Sequence, residues 1–198
     1  MHHQNLGMNA AKIINTLGYI AQKQEGNTIN CMKAYKLIWL ADRYHLRQYG
    51  RTITGDHYCA MPRGIVPSDA KNLVEGKPTR YTATTQDDYD SVQLAADNHS
   101  YHFVGNVDTS CLSASDREVL DLIWETYGNM DQWALSDLSH FSPEWLAYEP
   151  QMSSPSGKKS HPVNMDFLFE NFDDGNGLFL DSKENMHAAK EYYHMYHR

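Results

Sequence analysis

The sequence predicts a mainly α fold, a single compact helical domain with a few short β-strands. Three observations carry this. Apolar residues recur at helical spacing over long segments. The β-leaning runs are short and broken by glycine and proline. And 198 residues with 41% hydrophobic and 12% aromatic content can build one sizeable core.

Each element follows from local pattern. Residues of about 8–24 place Ile13, Leu17 and Ile20 on one face, an amphipathic helix stopped by "EGNTIN". Thr28 or Asn30 caps the next helix, about 31–49. That helix carries Ala34, Leu37, Ile38, Ala41 and Tyr44 on one side and Tyr35, Trp39 and Leu46 on another, so it is expected to be central. Gly50 is its C′ residue. "RTITGDHYCAMPRGIVP" reads as a turn, a short strand and a turn into a brief helix near Ser68–Val74. "RYTATTQ" and "YHFVG" read as two further strands. "LSASDREVLDLIWETYG" is a helix with Ser115 and Glu118 at capping-box spacing and Val119, Leu120, Ile123 and Tyr127 as its apolar face. "MDQWALSDLSH" is a shorter helix. The stretch from Pro150 to Pro162 reads as a surface loop. "VNMDFLFENF" reads as a short helix, "DDGNG" as a turn, and about 182–198 as a capped C-terminal helix.

Composition excludes some functions. The net charge is −8, with Lys and Arg scattered, so nucleic-acid binding is disfavoured. Cys31, Cys59 and Cys111 form neither a disulfide framework nor a zinc pattern and suit a reducing compartment. No apolar run reaches the ~18 residues of a membrane span, and the start lacks a signal-peptide core. The expectation is a cytoplasmic protein with no membrane association.

Chemistry-bearing residues are present without a completed site. His99 with His102, and His194 with His197, have a spacing that can put two imidazoles on one helical face. Exposed polar residues are the competing reading, and no cysteine or carboxylate completes either pair. Asp87, Asp88 and Asp90 lack the glycine and terminal glutamate of a calcium loop. His57 and Cys59 share a strand face but lack further support as a nucleophile and base. No metal, no cofactor and no catalytic residue is therefore expected. Asp42 is more informative. It falls beside Tyr35, Ile38, Trp39 and Leu46, where a bare carboxylate is costly. Either it pins the following loop, which offers Arg51, Arg63 and backbone N–H groups, or it presents charge to a partner.

The stretch "KLIWLADRYHLRQYGRTITGDHYCAMPRG", followed by "LSHFSPEWLAYEP", resembles the Panacea domain of SocA-like antitoxins and phage-associated proteins. The resemblance rests on Leu40, Ala41, Asp42, Gly50, Ile53, Tyr58, Ala60 and Gly64, then on Leu138, Ser139, His140 and Trp145. It covers roughly residues 8–180. The family's Gly-Pro-Val appears here as Gly64-Ile65-Val66-Pro67, with the proline displaced. The resemblance implies a mostly helical, non-enzymatic antitoxin that neutralises a cognate toxin, encoded by an adjacent gene, through direct binding. The SocA-like resemblance also allows a proteolytic adaptor, and the histidines by themselves leave a hydrolase or nuclease around His57, His99 and His102 as a further alternative. Many relatives carry an N-terminal DNA-binding segment, for which the start of this chain leaves no room. Candidate partner anchors are Tyr35, Trp39, Arg43, Tyr49, Arg51, Arg63 and His140, any of which can instead be core. Asp42, Gly50, Gly64 and Trp145 are expected to serve structure.

Overall fold

Apolar residues Ala10, Ile13, Ile14, Leu17 and Ile20 close one face of α1 (Leu6–Ala21), and all of them are buried. This computed structural model describes residues 6–81 and 84–196, with side chains described for 10–81 and 84–195. After α1 the chain enters β1 (Thr28–Asn30) and α2 (Cys31–Tyr49). The Asn30 side chain caps α2 by accepting from the Lys33 N–H. Gly50 closes it in a left-handed conformation, φ 70°, with its N–H on the Leu46 carbonyl. A hairpin, β2 (Tyr58–Met61) and β3 (Gly64–Pro67), leads into α3 (Ser68–Val74). Then come α4 (Gln86–Asp90), β4 (Val92–Leu94), β5 (Ser100–Phe103), α5 (Ala114–Tyr127), α6 (Gln132–Ser139) and α7 (Pro143–Leu146). α8 (Glu149–Ser153), β6 (His161–Pro162), a 3-10 segment (Met165–Phe169) and α9 (Lys183–Tyr196) complete the described chain.

Among the described residues helix dominates at 53%, and the strands form two small antiparallel sheets ordered β1-β5-β4 and β3-β2-β6. The mainly α expectation with a minor sheet component holds. α2 lies at the centre, packing against α1, α5, α6, α9 and β3. One buried apolar cluster runs from Ala10 to Phe179 and includes Leu37, Ile38, Trp39, Leu40 and Ala41. A helix buried on nearly all sides explains its apolar sequence.

Several local expectations are corrected. Tyr81, Thr84 and Thr85 are not strand; Thr85 instead caps α4 through Asp88, and the strand comes later as β4. The rest of that predicted strand includes residues 82–83, outside the described residues. Gly64–Pro67 is a strand rather than a turn, because Met61 pairs with Gly64 and Tyr58 with Pro67 across a two-residue connection. The capping box of α5 is Ser113 with Asp116, not Ser115 with Glu118. The predicted 150–162 loop contains most of α8 and all of β6.

Candidate functional site

Asp42 holds the loop that follows its own helix. One carboxylate oxygen accepts from the Ile53 and Thr54 N–H groups at 2.8 and 3.0 Å. The other accepts from the Tyr58 hydroxyl at 2.6 Å and from the Thr54 hydroxyl. Burial pushes this carboxyl up, against the pull of those four donors. Neither Arg51 nor Arg63 supplies a donor; the loop backbone and two hydroxyls do.

Trp39, Arg43 and Arg47 form a second set, spaced four apart along α2. Trp39 donates from Nε1 to Glu144 at 2.8 Å, and Arg43 meets the same carboxylate at 2.5 Å. Arg43 also lies over the Phe172 and Phe179 rings and donates to the Glu170 carbonyl. Arg47 grips Asp181 at 2.8 Å, Asn171 at 2.5 Å and the Leu168 carbonyl at 3.2 Å. The two arginines thus fasten segment 167–181 onto α2. Trp39 and Arg43 are fully buried. Their placement as partner anchors is corrected: they are internal.

The β2–β3 hairpin is anchored from both sides. Gly64 has φ +94°, and a Cβ there would sit 1.8 Å from Ser139 Oγ and 2.9 Å from Lys36 Nζ. Lys36 is fully buried and donates to the Ile65 carbonyl at 2.6 Å. Burial pulls its amine down to about 7. Trp145 donates to the Met61 carbonyl at 2.9 Å, and the His140 ring lies tilted against Trp145, their centres 4.1 Å apart. Ser136 donates to the Arg63 carbonyl at 3.0 Å.

The remaining predicted anchors separate. Arg51 is paired with buried Asp116 at 2.8 Å, alongside Lys12 and His45. Burial raises the Asp116 carboxyl, but hydrogen bonds from His45, Lys12, the Ser113 N–H and Arg51 outweigh it and hold it well below the usual range. Arg51, partly exposed, is thus tied to α5 through Asp116. Tyr35 is 7% exposed, whereas Tyr49 is 47% exposed and Arg63 is exposed. His140 is half-buried. Tyr35 and Arg63 come together with Lys36 around an open cleft of about 720 Å³, flanked by Trp133 of α6. Tyr49 and Arg51 do not line it.

The histidines fare differently from their sequence spacing. His99 and His102 lie next to and on β5, where a three-residue step points side chains to opposite faces. His102 meets the Thr28 hydroxyl at 3.1 Å. His194 pairs with Asp166 at 2.9 Å, and His197 lies outside the described residues. His57 turns to Asp69 at 3.1 Å, while Cys59 accepts from the Ser68 hydroxyl. Asp56, His57 and Asp69 bring three ligand-type atoms within 4.8 Å of one another. Asp56 is already occupied by the Asp69 and Ala70 N–H groups of α3, and Asp69 by Arg80 at 2.8 Å. This cluster caps a helix and binds a loop.

Sequence reasoning missed Arg47, Glu144, Asp116 and Lys36. The four-residue steps from Trp39 through Arg43 to Arg47 are a usable signal for one of them. The others draw their meaning from partners distant in sequence, Glu144 lying 101 residues from Arg43.

These features define a class: an α-rich scaffold wound around one buried helix, with its polar side chains spent largely on internal ties. The Arg43–Glu144 pair joins α2 to α7. The family model for the SocA-like antitoxin, Panacea domain, matches residues 35–146, a stretch that begins in α2 and ends in α7. The chain belongs to that family. The match is narrower than the 8–180 suggested by the motifs. No curated protein and no solved structure matches. Among the described residues, no helix is long and apolar enough to cross a membrane.

Proposed function

We propose that this protein is a cytoplasmic antitoxin that neutralises a cognate toxin, encoded by an adjacent gene, by binding it directly, without catalysis of its own. Family membership over residues 35–146 carries this reading. The internal ties of Asp42, Arg43 and Arg47 support it, because a rigid scaffold loses little freedom on binding. The proposed contact residues are those that remain available: Tyr49 and Arg63, together with exposed Phe141 and Leu146. A few such aromatic and arginine anchors dominate the energy of typical interfaces. Occlusion of the toxin's working surface is the proposed mechanism.

The test is co-expression with the toxic neighbour. Growth should be rescued, and rescue should persist in a host lacking its cytosolic proteases. Rescue that disappears in that host identifies a proteolytic adaptor instead. A toxic neighbour that the folded chain neither silences nor binds contradicts the antitoxin reading.

A further inference from the structure

The cleft between the amino ends of α2 and α6 has a charge opposite to that of the whole molecule. The chain carries −8, yet Lys36, Arg63, Lys71 and Lys159 line this cleft and no Asp or Glu does. Lys71 is partly compensated by Glu75 at 2.7 Å, outside the cleft lining. Lys159 donates only to carbonyls, those of Met152 and Ser154. Lys36, at the buried end, likewise has a carbonyl for its partner. Residues from the amino ends of both helices, Cys31 and Gln132 among them, face the same space. The α2 end adds about half a positive charge, whereas the α6 end is capped by the Asp131 carboxylate, which accepts from the Trp133 and Ala134 N–H groups.

The walls are apolar and partly aromatic. Trp133 stands 52% exposed at the lip, with Arg63 placed 5.3 Å from its ring centre. Tyr35, Met32 and Met61 continue the wall. A ring can slide against such a surface, and sulfur and aromatic contacts are favourable there. The volume of about 720 Å³ lies within the usual range for small-molecule sites, ~300–1,000 Å³. One carboxylate is too little charge for several cations and a helix end; a polyphosphate matches them.

We propose that this cleft binds a small phosphorylated ligand bearing an aromatic ring, the chemistry of a nucleotide. Arg63 and Lys159 meet the phosphates at the open side, and Trp133 packs on the ring. This goes beyond the antitoxin reading and does not depend on it.

The test uses the full chain with ATP, GTP, CTP and UTP, and with inorganic triphosphate and adenosine as controls. Affinity is read by equilibrium dialysis, and position by the indole N–H signals of the tryptophans in nitrogen-15 NMR. At least one nucleotide should saturate at one per chain. It should shift the Trp133 signal and leave that of Trp39, whose Nε1 is held by Glu144. Arg63→Glu should weaken binding about tenfold or more, the scale of a lost charge-assisted hydrogen bond, whereas Arg63→Lys should retain most of it. Trp133→Leu provides a second variant, and unchanged melting midpoints show that both still fold. The proposal is overturned by no saturable binding below about 1 mM, an affinity of only ~4 kcal/mol. It is equally overturned if inorganic triphosphate or adenosine binds as well as the nucleotides, or if Arg63→Glu leaves binding unchanged.

Discussion

Gly64 is the residue at which a single methyl group has the clearest consequence. Its φ of +94° disfavours any side chain, and the added carbon would overlap Ser139 Oγ. Gly64→Ala should lower stability by about 2 kcal/mol or more in urea unfolding. Adding Ser139→Ala should recover part of that loss, since it removes the Oγ overlap and leaves the Lys36 contact and the backbone strain. A double variant no better than the single one would show that the overlap is unimportant. Asp42 acts through acceptors rather than space. Asp42→Ala strands two buried N–H groups and the Tyr58 hydroxyl, so a loss on the order of 3 kcal/mol is expected. An unchanged denaturation midpoint would contradict that. The sequence already marked Asp42, because a carboxylate among apolar helix positions must be satisfied. It could not name the donors, which are backbone groups that any residue carries.

At the scale of elements, α2 joins the whole structure, and its ties can be separated by paired substitutions. Arg43→Met leaves Glu144 buried without its cation and should cost about 3–5 kcal/mol. Arg43→Met with Glu144→Leu should be much less destabilised, because the pair's desolvation cost vanishes with it. Additive losses in denaturant would contradict this coupling. Lys36 gives α2 a pH signature. Its folded value is lowered by burial to about 7 from an ordinary value of 10.5. Between those two values the unfolded chain binds the extra proton, so stability rises with pH. The wild type should therefore gain on Lys36→Met as pH increases from 7 towards 10.5, measured as the difference between their unfolding free energies. A difference that is flat across that window would contradict the lowering of this buried amine's value. The element itself was legible in its apolar spacing and its Gly50 stop. The β2–β3 hairpin was not, because Gly64 and Pro67 at the ends of a four-residue strand look like turn residues. The expected strand near Tyr81 failed for a similar reason: Thr-rich sequence has β propensity, but the hydrogen bond from Thr85 to Asp88 favours a helix start.

At the scale of the molecule, a net acidic chain folds around a scaffold fastened by two buried arginines, Arg43 and Arg47. The sequence conveyed the fold class and the scaffold segment through periodicity and motif order. It did not convey which candidate anchors face out, because Trp39 and Arg43 suit an interface as well as a core until Glu144 is placed beside them. Net charge also predicts how a partner arrives: association with a basic toxin surface should slow as salt rises. Direct binding between this purified chain and the toxic product of its neighbouring gene, followed by size-exclusion chromatography and titration calorimetry, tests the central claim most directly. A stable complex is expected, weakened by Tyr49→Ala or Arg63→Ala while the denaturation midpoint of the free protein is unchanged. No complex between the two folded proteins would contradict it.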